Sequence, residues 1–491
     1  MDTHDHTTVR SQNQNQGQKG TSIQETEVTV VMVPLPAQGH LNQLIHLSRL
    51  ISSYNLPVHY VSTATHNLQA KVRVQGWDPL AISNIHFHEF PVPSYETPPT
   101  NPNATTKYPF HLISMFNATV KLREPIYKLL QQLSSSARRL VVIHDSLMPY
   151  VIQDVGLIPN AESCCFYSTS AFTFYSYLWE FGGKPRLLEP ELLESLEDLP
   201  TLETCNPPEI IEYIKLQEDS RPNNAGYLYD TCRAIEGPYL DLLAKASTVD
   251  TDKQWAIGPF NPVVINEQQH SNKRHYCLEW LDKQAPNSVI YISFGSSVSV
   301  SDDEAKEIAI GLEKSGQKFI WVLRDADKVG IFYGEVRKAQ LPEGFEERIK
   351  GRGIVVSDWA PQLEILGHSS TGDFMSHCGW NSCMESISMG VPVAAWPMHS
   401  DQPRNSILMA KVLKIALLIR DWSRQDEFMT SITIENAVRR LMDSTEGEEM
   451  RQRAKELSKR VEESIRDGGD SRLEMDSFTA HILGSFFFFL A

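Results

Sequence analysis

Residues 28–33 read Val-Thr-Val-Val-Met-Val, a nearly unbroken apolar run without the alternation of a half-buried strand. A strand with apolar side chains on both faces must be covered on both, as in a parallel sheet flanked by helices. The next residues, Pro-Leu-Pro-Ala-Gln-Gly, form a turn, after which Leu41, Leu44, Ile45, Ser48 and Ile51 recur at helical spacing. Further strands are predicted at 58–63, 85–90 and 139–146, so the first half reads as βαβ units. Residues 251–275 are rich in polar and turn-forming residues and are assigned to a linker. The rhythm then restarts, with strands predicted at 288–296, 318–324, 353–359, 373–378 and 391–397 and a helix over 302–316. The predicted class is α/β: two doubly wound halves, 27–250 and 276–470, facing across a cleft. Such sheets bind ligands beyond the carboxyl ends of their strands. The stretch 471–491 is expected to return to the first half.

Charge and cysteine usage narrow the function. A formal net charge of −16 over 491 residues argues against a nucleic-acid footprint or an electrostatic hold on anionic membranes. The seven cysteines are irregularly spaced with no CxxC pair, which predicts neither a disulfide framework nor a zinc site. Reduced thiols and a cytoplasmic location are the expectation. Residues 1–26 are polar, carry no apolar leader region, and read as a disordered tail. The Phe-rich end, 486–490, is far too short to span a bilayer.

Residues 359–402 form a segment of a different kind. They hold three tryptophans, three histidines and the turn Gly379-Trp380-Asn381-Ser382, but no Lys or Arg. The pattern predicts a strand, a tight turn at Gly379, and a helix capped by Asn381 or Ser382, with Glu385 closing a capping box. A helix N-terminus offers unpaired N–H groups and partial positive charge, an anion site that needs no lysine cluster. His377 at the strand end adds a donor or a charge. Trp359 can stack on a flat base, Glu385 can accept from ribose hydroxyls, and Asp401 and Gln402 suit sugar hydroxyls. The ligand these groups fit is a nucleoside diphosphate joined to a sugar.

With "WAPQ", "HCGWNS", Glu385 and "DQ" at matching spacing, this segment resembles the 44-residue signature of plant family-1 UDP-glycosyltransferases. The resemblance covers nearly the whole chain beyond the tail. It implies the GT-B fold, two Rossmann-like domains facing across a cleft. It also implies roles. Trp359 would stack on uracil, and Ala360 and Gln362 would bond its edge. Ser296, His377, Asn381 and Ser382 would hold the diphosphate, Glu385 the ribose, and Trp380, Asp401 and Gln402 the sugar. In the first half, His40 would be the general base and Asp145, ending another strand, would orient it. The chemistry is sensible, because an alcohol needs its proton removed as it attacks and a carboxylate stabilises the resulting imidazolium. The neighbouring His144 is a weaker candidate. Gln43 stands where many family members carry Pro, and is expected to alter only the entry into the helix.

The resemblance implies inverting transfer of glucose from UDP-glucose to a small acceptor, with UDP-xylose as the alternative donor. No cofactor or metal is expected, since no DxD motif falls where a metal-held diphosphate would need one. The segments "VVMVPLPAQGHLNQLIHLSRLI" and "MHSDQPRNSILMAKVLK", the second running on past the signature's end, resemble the branch that glycosylates zeatin-type cytokinins; a flavonoid or other phenol is the alternative acceptor. The aromatic stretch 164–181 reads as a buried helix, and as a wall for a planar ligand. A monomer without nucleic-acid or membrane partners is expected. A Rossmann oxidoreductase would need a GxGxxG after a strand, and a serine hydrolase a GxSxG; neither occurs. A non-catalytic nucleotide-sugar sensor would keep the signature and lose His40 and Asp145.

Overall fold

The computed structural model describes residues 26–91, 101, 103–104, 107–182, 194–197, 199–246, 253–265, 274–324, 326 and 339–484. The tail expected at 1–26, except its last residue, and the Phe-rich end lie outside the described residues.

The first sheet has seven strands: β1 (Thr26–Val33), β2 (Val58–Thr63), β3 (Ile85–Phe90), β4 (Ala137–Asp145), β5 (Ala161–Tyr167), β6 (Gly226–Tyr229) and β7 (Lys253–Ala256). They lie in the order β3-β2-β1-β4-β5-β6-β7, all parallel. The run that opened the sequence argument is covered on both faces. Val30 and Met32 pack against Leu41, Leu44 and Ile45 of helix α1 (Gln38–Ser52), while Val31 and Val33 join a separate cluster with Ile126 and Val151. Helix α2 (Ala64–Arg73) follows β2, and α3 (Ala171–Phe181) follows β5.

The second sheet has six parallel strands: β8 (Val289–Ser293), β9 (Lys318–Val322), β10 (Gly353–Val356), β11 (Thr371–Ser376), β12 (Val393–Ala395) and β13 (Ala416–Leu418), ordered β10-β9-β8-β11-β12-β13. Its helix α4 (Asp302–Ser315) starts with a capping box between Ser301 and Glu304 and ends at Gly316, whose φ of 74° is left-handed. Asp302, Asp303 and Glu304 in its first turn favour the start, and the left-handed glycine favours the stop, close to the predicted bounds 302–316. Three shorter helices serve the cleft: α5 (Gln362–Leu366), α6 (Trp380–Met389) and α7 (Gln402–Ile407). The last described helix, α8 (Asp470–Leu483), returns to the first half. Its Met475, Phe478 and Ile482 join the core of the first sheet, with Phe478 edge-on to Trp255 at 5.1 Å.

Three expectations need correction. Residues 253–256, assigned to a linker, are the edge strand β7, built on Trp255 and Ala256, which are buried. The stretch 164–181 is not one helix. Residues through Tyr167 finish β5, and Ser170 caps α3 by accepting from the Thr173 N–H. Helix α6 begins at Trp380 with Gly379 as its cap residue and no side-chain cap, so the predicted Asn381/Ser382–Glu385 capping box does not form. Those three side chains take other partners, described below.

Candidate active site

In each sheet the strand order reverses between two neighbours, β1 and β4 in the first, β8 and β11 in the second. Each reversal opens a crevice at the strands' carboxyl ends. The two crevices face one another and form one cavity of about 530 Å³. His40, Trp359, His377, Glu385 and Asp401 all line it.

The base candidate sits on the first crevice. Pro34 and Pro36 shape the loop after β1, and His40 falls in the first turn of α1. Val33 of β1 lies opposite His144 of β4, so Asp145, next along β4, comes out beside that loop. His40 Nδ1 is 2.7 Å from Asp145 Oδ2; the imidazole is 23% exposed and the carboxylate fully buried. The other carboxylate oxygen accepts from the Leu147 N–H at 2.9 Å. Burial alone would lower the His40 pKa. The Asp145 charge and hydrogen bond outweigh it, with a smaller push from Asp401, and raise it above the ordinary 6.5. With Nδ1 held by Asp145, Nε2 is the atom left to work. His144 is excluded, being buried with Nε2 3.0 Å from Asn224 Oδ1.

The second crevice holds the signature residues. His377 directly follows β11 and is buried, and burial lowers its pKa to about 4, so it is neutral near pH 7 and offers a donor, not a charge. Its Nδ1 is buried without a partner among the described residues, the orphan expected where a ligand atom belongs. Glycines cradle the ring. A Cβ on Gly295, whose φ is +76°, or on Gly379 would come within 2.6 Å of Nε2. Ser296 and Ala360 line the cavity nearby. Gln362, at the start of α5, donates to Ser382 Oγ at 3.0 Å and to Glu385 Oε2 at 2.7 Å. Burial pushes the Glu385 carboxyl up to about 7.

Other signature residues are committed across the cleft or within their own turn. Asn381 donates to the Gly39 carbonyl at 2.7 Å, gripping the loop that carries His40. Trp380 spends its indole N–H on the Asp230 carbonyl at 2.9 Å. Gln402 Oε1 accepts from the backbone N–H groups of Met398 and His399, at 2.9 and 3.1 Å. Asp401 Oδ2 accepts from Thr169 at 3.2 Å and Asn405 at 2.7 Å.

Sequence reasoning missed several participants. The segment 359–402 has no basic residue, but the fold brings two to it. The Arg73 guanidinium stands 4.4 Å from the centre of the Trp359 ring and the Arg324 guanidinium 5.6 Å. Gln43 does more than shape a helix entry: its amide donates to the Ser168 carbonyl at 3.0 Å, tying α1 to the loop before α3. The aromatic wall is real, since Tyr167, Phe174, Tyr177, Leu178 and Phe181 line the cavity. Among the described residues, no three His, Cys, Asp or Glu side chains are grouped to hold a metal ion, and no helix is long and apolar enough to cross a membrane.

Residues 26–262 match the glycosyltransferase N-terminal domain family, and residues 240–459 match the UDP-glucoronosyl and UDP-glucosyl transferase family. The chain is 52% identical over 459 residues to a zeatin O-glucosyltransferase of Phaseolus lunatus, covering 93% of this chain and 97% of the relative. It is 50% identical over 459 residues to a zeatin O-xylosyltransferase of Phaseolus vulgaris, covering 93% and 98%. Its fold matches the crystal structure of a UGT transferase from Siraitia grosvenorii in complex with UDP, with a TM-score of 0.68, 26% identity, and coverage of 93% of this chain and 100% of that one.

Proposed function

The chain belongs to the UDP-glucoronosyl and UDP-glucosyl transferase family, and from that premise we propose that it transfers glucose from UDP-glucose to the side-chain hydroxyl of a zeatin-type cytokinin, with inversion. The observation that carries the reading is the His40–Asp145 pair, held at 2.7 Å, facing the signature residues across one cavity. The acceptor oxygen attacks the anomeric carbon as His40 Nε2 takes its proton. The bond from that carbon to the UDP oxygen breaks, and the electron pair leaves with UDP. Asp145 stabilises the imidazolium that forms. The N–H groups at the start of α6 and the neutral His377 receive the charge growing on the diphosphate. Uracil takes the Trp359 face, and Asp401 and Gln402 orient the sugar.

The acceptor reading is supported by the P. lunatus relative and by the aromatic residues lining the cavity, which suit a purine ring. UDP-xylose is the second donor reading, favoured by the similarity to the P. vulgaris xylosyltransferase. In this proposal amide dipoles and a neutral imidazole hold the diphosphate, so no metal is required. Cytoplasmic action is supported by seven buried cysteines, none in a disulfide. Action as a monomer is supported by both sides of the cleft coming from one chain.

The test is a matrix assay: UDP-glucose or UDP-xylose against trans-zeatin, cis-zeatin, dihydrozeatin and a flavonol, with products assigned by mass and linkage position. The proposal predicts a zeatin O-glucoside as the dominant product. A flavonol glycoside without a zeatin product would refute the acceptor, and xylosides in place of glucosides would refute the donor.

A further inference from the structure

Next to the sugar-contacting turn lie two residues that the donor reading does not use, Arg404 and Asn405. Arg404 is on the second half of the chain, yet every bond described for its guanidinium goes to the first half. Nε donates to the Pro200 carbonyl at 2.9 Å, one terminal nitrogen to Ser176 Oγ at 2.7 Å, and the other to the Glu180 carboxylate. The guanidinium also lies 3.9 Å from the centre of the Tyr177 ring, and the side chain is 1% exposed. Asn405 Oδ1 accepts from Ser170 at 2.8 Å and Thr173 at 2.9 Å, while its amide donates to Asp401 at 2.7 Å and to the Cys378 carbonyl at 3.1 Å.

The partners on the first half form a stripe. Ser170, the cap residue of α3, and Thr173, Ser176 and Glu180 within it recur every three or four residues along one face of that helix, and Thr169, just before the cap, holds Asp401. Other residues of the same helix, Phe174, Leu178 and Phe181, line the cavity where the aromatic wall stands. One rigid helix therefore touches the acceptor space and the turn carrying Asp401. A buried ion pair adds little stability over an apolar pair of the same volume, whereas a planar fork with three fixed acceptors defines an orientation.

We propose that Arg404 is a positioning residue for glycosyl transfer: it sets the Asp401–Gln402 turn in register with α3, so that the sugar is aligned with the bound acceptor. The inference rests on the transferase reading above. Arg404 has no role in holding the nucleotide, which is bound by other elements of the second half. Its loss therefore separates transfer from UDP binding.

The experiment uses the full chain with Arg404→Met, Arg404→Lys and Glu180→Gln. It measures UDP affinity by calorimetry, steady-state transfer, and hydrolysis of UDP-glucose without acceptor. Arg404→Met is expected to leave the UDP Kd within about twofold and to lower transfer kcat about 100-fold, the scale of a displacement near 1 Å remote from the chemistry. Hydrolysis is expected to fall less than transfer, so their ratio rises. Arg404→Lys recovers only part of kcat, because an ammonium cannot reproduce the fork. Transfer within twofold of the wild type overturns the proposal, as does a UDP affinity that falls in step with kcat. If Arg404→Met does not fold, Glu180→Gln, which keeps the side-chain shape, decides by the same two criteria. Failure of the wild type itself to transfer from any UDP-sugar would instead refute the transferase reading beneath it.

Discussion

At the scale of single residues, the account turns on a proton. Asp145 raises the His40 pKa above 6.5, so the imidazole is neutral, and able to act as base, only at a pH above the ordinary histidine value. The acid limb of kcat/KM should therefore lie above 6.5. Asp145→Asn removes the main raising cause, so it should move that limb to lower pH and cut turnover by about 10²–10⁴; a pH–rate profile of the two proteins checks both. The same raised pKa contributes to stability. That contribution is complete below the unfolded value near 6.5 and is lost as pH rises through the folded value. On the donor side, Trp359→Ala should raise the donor KM about 5- to 150-fold, the equivalent of about 1–3 kcal/mol of stacking; steady-state kinetics with varied UDP-glucose give the number. His40, Asp145 and the signature were legible because their neighbours in sequence form recognisable patterns. Arg73, Gln43, Arg404 and Asn405 were not. Their partners lie far off in sequence, Gln43 with Ser168 and Arg404 with Glu180, and no local pattern announces such a pair.

Elements put these residues in place, and their legibility followed strength of pattern. The continuous apolar runs of β1, β4 and β8 and the helical spacing of the capped helix α4 were found. Strands β6, β7 and β13, of three or four residues, were not read from the sequence, although β10 and β12, equally short, were. Strand β5 was hidden because its aromatic residues run on into α3, and the polar break at Ser168-Thr169-Ser170 was passed over. The missing cap of α6 has a functional consequence: with Gly379 at the cap, no side chain occupies the first N–H groups, and they stay open to an anion. The turn after β8 is equally specific. Gly295→Ala would place a Cβ 2.6 Å from His377 Nε2 at a φ of +76°. It should cost about 1 kcal/mol or more in stability and displace the imidazole. Calorimetric titration with UDP should show weakened binding; an unchanged affinity would remove His377 from the diphosphate site.

Over the whole molecule, the two-sheet architecture and the cleft were readable from strand–helix rhythm alone, while the last helix was only partly so. Helix α8 shares a core with β7 and β1, so the last described helix packs on the first sheet. Phe478→Ala, at a fully buried position, should destabilise the protein by about 3–5 kcal/mol in urea unfolding. UDP affinity measured under native conditions should not change, because Phe478 is far from the signature residues in the fold, packed among Trp255, Met475 and Ile482. The joining of two complete sheets around one cavity gives the central claim, that the first half supplies the base and the second half the donor. The most direct test is His40→Ala, with turnover and UDP affinity measured on the same preparation. The account predicts that turnover falls about 10²–10⁴-fold while UDP affinity stays within about twofold. A variant that still turns over at the wild-type rate would contradict it.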